Sequence, residues 1–216
     1  MQAVLIRTEA DVRRGIRGLR RACPTLRRLH DQTGDPPVRH VGHGFEGLSR
    51  IIVGQQLSVA SATAIWRRTH ALIAPFEPEG LLAATDAELR TAGLSAGKVR
   101  TLRALGRACV ADGLAVAALG TLSEPEIRER LMRVSGIGPW TADIYIMFCL
   151  GRADAWASGD LALQVATAMA FGRDQRLKPL ELENLAERWR PWRGVAARLL
   201  WAWYGLSRRR SSAEPA

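Results

Sequence analysis

The sequence predicts an all-α fold, from three observations. Apolar residues recur at helical spacing along most of the chain, alternating β-branched runs are almost absent, and capping hydroxyls three residues ahead of a carboxylate repeatedly precede apolar stretches. With 216 residues, 47% of them hydrophobic, the chain can bury a substantial core in one domain or two closely packed lobes.

In chain order, Thr8 with Asp11 opens an N-terminal helical pair, because a hydroxyl and a carboxylate so spaced answer the bare N–H groups of a first turn. Residues 31–44, DQTGDPPVRHVGHG, are rich in turn formers and predict a loop to the main body. Helices are then expected over 45–56, 58–73, 85–92, 96–112, 124–134, 139–150, 160–171, 179–189 and 191–206. Thr85 with Glu88 and Ser123 with Glu126 mark two of the starts, and Gly93, Gly113, Gly151 and Gly172 mark stops. Residues 207–216, SRRRSSAEPA, read as a disordered tail.

The formal net charge is +10, carried almost wholly by arginine, since Lys98 and Lys178 are the only lysines. Such a balance suits a polyanionic partner such as nucleic acid, although a host's coding bias gives a similar composition. Cys23, Cys109 and Cys149 are odd in number and widely spaced within helical patterns, which excludes a disulfide framework or a CxxC metal pair and leaves reduced core thiols. His30, His40, His43 and His70 show no HExxH spacing, so catalytic zinc is not expected, and they read as loop or surface residues. No apolar run approaches the ~20 residues that span a bilayer, and the N-terminus becomes charged too early for a secretory signal. A cytoplasmic protein with no membrane partner is expected.

The segment LMRVSGIGPWTADIYIMF is the most informative. A helix ending near Val134 meets Ser135-Gly136-Ile137-Gly138, and Pro139 is a favoured first residue of the next helix. Glycines at 136 and 138 leave the backbone bare, so N–H groups at the start of the second helix can approach a phosphate whatever the base sequence. Farther on, Ser158-Gly159-Asp160-Leu161 precedes the apolar helix LALQVATAMAF. Alone, Asp160 reads as a helix N-cap.

Together these segments resemble the helix-hairpin-helix DNA glycosylase superfamily, which pairs this hairpin with a glycine- and proline-rich loop and an aspartate. FEGLSRIIVGQQLSVASATAIW (Phe45 to Trp66), AGLSAGKVRTLRALG (Ala92 to Gly106) and ERWRPWRGVAARLLWAW (Glu187 to Trp203) are similar, in the same order, to its 3-methyladenine DNA glycosylase II branch in the compact form. The resemblance implies one domain over 1–206 made of two helical lobes with a DNA- and base-binding cleft between them. One lobe covers about 44–150, with the hairpin at 124–150, and the other about 1–43 plus 151–206. The implied activity is monofunctional hydrolysis of the N-glycosidic bond of alkylated purines in double-stranded DNA, leaving an abasic site. 3-Methyladenine and 7-methylguanine are the implied bases, with 1,N6-ethenoadenine or hypoxanthine beyond them. A nucleoid-associated monomer is implied, and a non-catalytic hairpin protein that binds only DNA is the alternative.

By the same resemblance Asp160 is the catalytic carboxylate, and Trp140 and Trp201 line the base pocket. Trp66, Trp156 and Trp203 read as core, and Trp189 and Trp192 as structural packing. Gly136, Gly138, Pro139, Thr141 and Lys98 contact DNA, with Gln55 and Gln56 in the turn where relatives present a wedge. Both glutamines read equally well as hydrogen-bonding at a helix end, and Lys98 as part of a solvated helix face. Relatives that also cleave the strand place a lysine where this chain has Trp140, so no lyase step is expected. Larger relatives place an aromatic residue where this chain has Ile144, which implies a less aromatic pocket. The four-cysteine cluster motif is missing, so no iron-sulfur cluster is expected, and no cofactor is required. The one ion implied is a structural Na+ or K+ on the main-chain carbonyls of Met132, Val134 and Ile137.

Overall fold

A computed structural model describes residues 3–39 and 41–213. The described residues form α1 (Glu9–Ala22), α2 (Pro24–Thr33), α3 (Gly44–Gly54), α4 (Val59–Leu72), α5 (Pro78–Ala83), α6 (Asp86–Thr91), α7 (Ala96–Val110), α8 (Glu124–Met132), α9 (Pro139–Phe148), α10 (Leu161–Ala170), α11 (Pro179–Ala186) and α12 (Arg193–Ala213). Short 3-10 helices lie at Val116–Thr121 and Glu187–Trp189. The fold is all-α, and the only pairing of β type among the described residues is an isolated bridge between Leu5 and Arg152. None of the described helices is long and apolar enough to cross a membrane.

The helix starts follow local chemistry. Thr8 and Asp11 satisfy one another's backbone N–H groups at 3.0 and 3.3 Å, and Thr85 and Glu88 do the same at 2.7 and 3.2 Å. The Glu126 carboxylate accepts from the Ser123 N–H at 2.9 Å. Each such cap contributes about 1 kcal/mol to its helix. The hydroxyls of Thr8 and Ser123, followed by backbone N–H donors, hold the Asp11 and Glu126 carboxyls below their usual pKa, and the Thr85 N–H and hydroxyl do the same for Glu88. Gly93, Gly113, Gly151 and Gly172 all have positive φ and follow helical or turn segments.

Four elements differ from the sequence expectation, the first being the 3-10 helix Val116–Thr121, where no helix was expected. Helix α5 was not expected, because six residues opened by Pro78 show too little periodicity to register. The stretch expected as one helix over 179–189 is α11 followed by a 3-10 turn, ahead of Pro191. The tail expected to be disordered from 207 instead continues α12 to Ala213. Residues 214–216 of that tail, and His40, lie outside the described residues.

The chain divides into two compact units. Unit 1, residues 1–40 and 151–216, is built on α12, which packs against α2 and α10, with α1 beside α2. Its core includes Val12, Ile16, Leu19, Leu26, Trp156, Leu163, Trp189 and Leu200. Unit 2, residues 41–150, sets α5 against α7, α8 against α9, and α3 against α4, α7 and α9, over a core that includes Leu48, Ile52, Leu81, Leu102, Leu105, Leu131 and Ile146. Full burial of each such aliphatic side chain contributes about 1.5–3 kcal/mol. Trp66, Trp156 and Trp189 are buried, whereas Trp203 is half-buried and donates its indole N–H to Gln32 Oε1 at 2.9 Å. The Cys109 and Cys149 thiols are pushed up to about 11 and about 12 by burial, which keeps them protonated at neutral pH.

Candidate active site

In unit 2 the hairpin is α8, a short turn, and α9. Val134 N–H donates to the Leu131 carbonyl at 3.1 Å and Ile137 N–H to that of Val134 at 3.0 Å, closing the turn on itself. Gly136 sits at φ 87, and a Cβ there would collide with the Thr101 side chain of α7. Gly138 is the extended N-cap of α9, and a Cβ there would meet nothing within 4 Å. With Pro139 at the first position, the start of α9 is bare backbone at the positive end of a helix dipole, which suits a phosphate oxygen.

The neighbouring segments are fastened to this hairpin. Gln55, half-buried, donates its side-chain amide to Thr141 Oγ1 at 2.8 Å, and Thr141 itself is buried. Gln56 is different. It is exposed and is the only non-glycine at positive φ (54) among the described residues, a conformation uncommon for such a side chain. The structure thus separates two adjacent glutamines: one ties the α3–α4 turn to α9, and the other is displayed at the apex of that turn.

Lys98 donates to the Val53 carbonyl at 2.6 Å, placing its ammonium at the carboxyl end of α3. Burial lowers its pKa, so the desolvation penalty offsets part of that hydrogen bond. Lys98→Met is therefore expected to cost about 1 kcal/mol, seen as a Tm lowered by about 2–4 °C in thermal unfolding. An unchanged Tm with weakened DNA binding would instead make Lys98 a phosphate ligand alone. Gln55, Gln56, Lys98, Arg100, Ser135 and Gly136 all line an open groove of about 440 Å³, formed where the α3–α4 turn, the start of α7 and the hairpin turn converge. A groove of about 480 Å³ between the end of α7 and α8 sets Asp112, Glu126 and Glu129 against Arg130 and Arg133, a mixed charge poorly suited to phosphate.

Two sets of ion pairs, one in each unit, were not read from the sequence. Arg128 of α8 bonds Asp143 of α9 at 2.5 Å, with Asp143 only 7% exposed, and so joins the two hairpin helices. In unit 1, Arg193 is buried among Asp154, Glu183 and Glu187. Neither set carries a motif, because each partner becomes a neighbour only once the chain has folded.

Asp160, in unit 1, is the N-cap of α10. Its Oδ1 accepts from Leu163 N–H at 2.7 Å and from the Trp201 indole N–H at 3.0 Å. The preceding loop is packed inward on Ala153, Ala155, Trp156 and Ala157, and Gln164 Nε2 donates to the Ser158 carbonyl at 2.7 Å. A half-buried carboxylate is thereby fixed by two donors from separate helices. Trp201, expected as a pocket wall, is placed as a donor to this carboxylate, while Trp140 is half-buried on α9 in unit 2. Ile144, one turn beyond Trp140, is also half-buried.

Among the described residues no group of His, Cys, Asp and Glu could hold a metal ion. The carbonyls of Met132, Val134 and Ile137 lie at the end of α8 and in the hairpin turn, and one lone pair of the Val134 carbonyl serves Ile137 N–H.

Residues 49–191 match the family described as HhH-GPD superfamily base excision DNA repair protein. The chain is 28% identical over 162 residues to the alkylbase DNA glycosidase-like protein mag2 of Schizosaccharomyces pombe, covering 73% of this chain and 76% of that one. It is 28% identical over 171 residues to DNA-3-methyladenine glycosylase 2 of Escherichia coli, covering 74% of this chain and 57% of that one, so the match spans little more than half of the bacterial enzyme. Among solved structures, S. pombe 3-methyladenine DNA glycosylase (Mag1) in complex with abasic DNA aligns with a TM-score of 0.78 at 25% identity, over 87% of this chain and 95% of that one. DNA-3-methyladenine glycosidase from Bacillus halodurans aligns with a TM-score of 0.75 at 27% identity, over 97% and 95%.

Proposed function

The chain belongs to the HhH-GPD superfamily of base excision DNA repair proteins, and from that premise we propose that it is a monofunctional DNA glycosylase acting on alkylated purines in double-stranded DNA. The observation that carries the reading is the half-buried Asp160 carboxylate, held at one oxygen by Leu163 N–H and Trp201 N–H. Departure of the base develops positive charge on the sugar, and a fixed carboxylate beside the anomeric carbon stabilises it without having to reorganise. The bond from the base nitrogen to C1′ breaks, a water oxygen bonds to C1′, and Asp160 orients that water and takes up its proton. The product is an abasic site.

The hairpin amides at Gly138 and Thr141 hold the DNA backbone irrespective of sequence, with Pro139 between them as the first residue of α9. Extrusion of the base costs a few kcal/mol, and Gln56, exposed on its strained turn, fills the gap left in the stack while Gln55 anchors the turn through Thr141. Trp140 supplies an aromatic face of the pocket, which favours cationic 3-methyladenine and 7-methylguanine. Ile144 makes that pocket less aromatic, which weakens the preference for these cationic bases over neutral 1,N6-ethenoadenine and hypoxanthine. A monovalent cation on the carbonyls of Met132, Val134 and Ile137 is supported by their place at and just beyond the carboxyl end of α8, at the negative pole of its dipole. The protein works as a monomer on chromosomal DNA in the cytoplasm.

The test is base release from duplexes carrying one methylated or ethenylated adenine, read as alkali-labile abasic sites, with borohydride added in parallel. Release with no trapped covalent adduct is the expected result. A trapped adduct would make it a glycosylase-lyase. Tight binding without release of any base would leave a DNA-binding protein without chemistry.

A further inference from the structure

Building on that reading of Asp160, we propose that Arg193 is a positioning residue for it, acting through Asp154. The loop over 151–160 joins α9 to α10 and carries Asp160 at its far end, where Trp201 of α12 holds the carboxylate. Its near end is fastened to the same helix. Arg193, the first residue of α12, donates Nε to Asp154 Oδ1 at 3.1 Å and Nη2 to Asp154 Oδ2 at 3.0 Å, the two parallel bonds of a guanidinium fork. Arg190 adds a bond to Oδ2. Gly194 N–H donates to the Ala153 carbonyl at 2.8 Å, and a Cβ on Gly194 would lie 2.9 Å from that carbonyl oxygen, so the backbones meet as closely as only glycine permits.

Arg193 and Trp201 are therefore two points on one rigid helix, ~12 Å apart along its axis at ~1.5 Å per residue. The loop between Asp154 and Asp160 is pinned at both, and α12 sets where the carboxylate stands. The guanidinium is also held from the other side, by Nη1 to Glu187 Oε1 at 2.9 Å and to Glu183 Oε1 at 3.2 Å. It is 4% exposed, with every nitrogen engaged. Ion pairs between a buried guanidinium and partly exposed carboxylates add little net stability, so their use here is geometric. Lysine cannot reproduce a planar fork that spans three carboxylates.

The test compares Arg193→Lys, Asp154→Asn, Trp201→Phe and the Arg193→Lys/Trp201→Phe double variant in the full chain. It follows single-turnover base release, Kd for a duplex containing an abasic analogue, and hydrogen exchange of the Leu163 amide, whose acceptor is Asp160. Arg193→Lys and Asp154→Asn are each expected to slow release about 10–100-fold while Kd stays within about two-fold, because a displacement near 1 Å at the reacting centre has effects of that size. The Leu163 amide should exchange faster in both variants. The double variant should lose less than the product of the two single losses, since both contacts fix one loop. Rates that fall only in step with Kd, multiplicative losses, or an unchanged Leu163 amide would each overturn the proposal and leave Arg193 a structural ion pair. If the wild type releases no tested base, the glycosylase reading fails on that result alone, and the Leu163 exchange still decides whether Arg193 fixes the loop.

Discussion

Asp160→Asn is expected to lower release of an alkylated purine by about 10²–10³-fold while leaving DNA affinity and folding in place. The substitution isolates charge from geometry. Asparagine caps a helix as well as aspartate, so its side-chain oxygen still accepts from Leu163 N–H and from the Trp201 indole, the two bonds that fix the carboxylate. The negative charge is lost, and the second carboxylate oxygen becomes an amide nitrogen that donates. A carboxylate about 4 Å from a developing positive charge is worth about 4 kcal/mol at an effective dielectric near 20, which corresponds to about three orders of magnitude in rate. Single-turnover base release from a methylated duplex measures the loss, and fluorescence anisotropy of the same duplex checks binding. A variant that retains activity within about tenfold of the wild type would reduce Asp160 to a helix cap.

The second large effect concerns the hairpin glycines, which the structure divides. Gly136→Ala places a Cβ against the Thr101 side chain at a backbone angle that L-residues rarely adopt, so strain and overpacking together should cost about 2–4 kcal/mol and displace the turn. Thermal unfolding should show a Tm lower by about 5–15 °C, and affinity for duplex DNA should fall with it. Gly138→Ala meets nothing within 4 Å and needs no unusual backbone angle, so its Tm should be unchanged. Its new methyl group stands where a phosphate would approach the start of α9, and affinity alone should fall about tenfold, the equivalent of one lost phosphate contact near 1.4 kcal/mol. If Gly138→Ala binds DNA as the wild type does, the backbone grip is not at the start of α9.

What could be read from the sequence follows how local each interaction is. The capping pairs at Thr8, Thr85 and Ser123 lie within one helical turn and were legible, as was the hairpin, whose Gly136, Gly138 and Pro139 act through their own backbones. Asp160 was legible as an N-cap, which its bond from Leu163 N–H bears out. Interactions between distant positions were not legible. Lys98 looked like a surface cation, yet its partner is the Val53 carbonyl, 45 positions away. Trp201 looked like a pocket wall, and its N–H is directed at a carboxylate 41 positions before it. Asp154 and Arg193 had no signal, because a polar loop residue and an arginine in a basic chain are each unremarkable until a fold brings them together. The extension of α12 past residue 206 was hidden by polar residues that give a solvated helix no periodic apolar face.

Unit 1 is discontinuous in sequence, with all of unit 2 inserted between its two segments. During synthesis, the residues of unit 2 are all available while α12 has yet to be translated. Gln32 must wait for Trp203, 171 residues later, which at about 5–20 residues per second is roughly 10–35 s. The hairpin can therefore be assembled on the ribosome before the helix that carries Trp201 exists, and once unit 2 is folded, closing unit 1 no longer costs the loop entropy of the whole insertion. Translation itself orders the two halves of the protein, so a nascent chain stalled before α12 has its hairpin complete and Asp160 without the Trp201 donor.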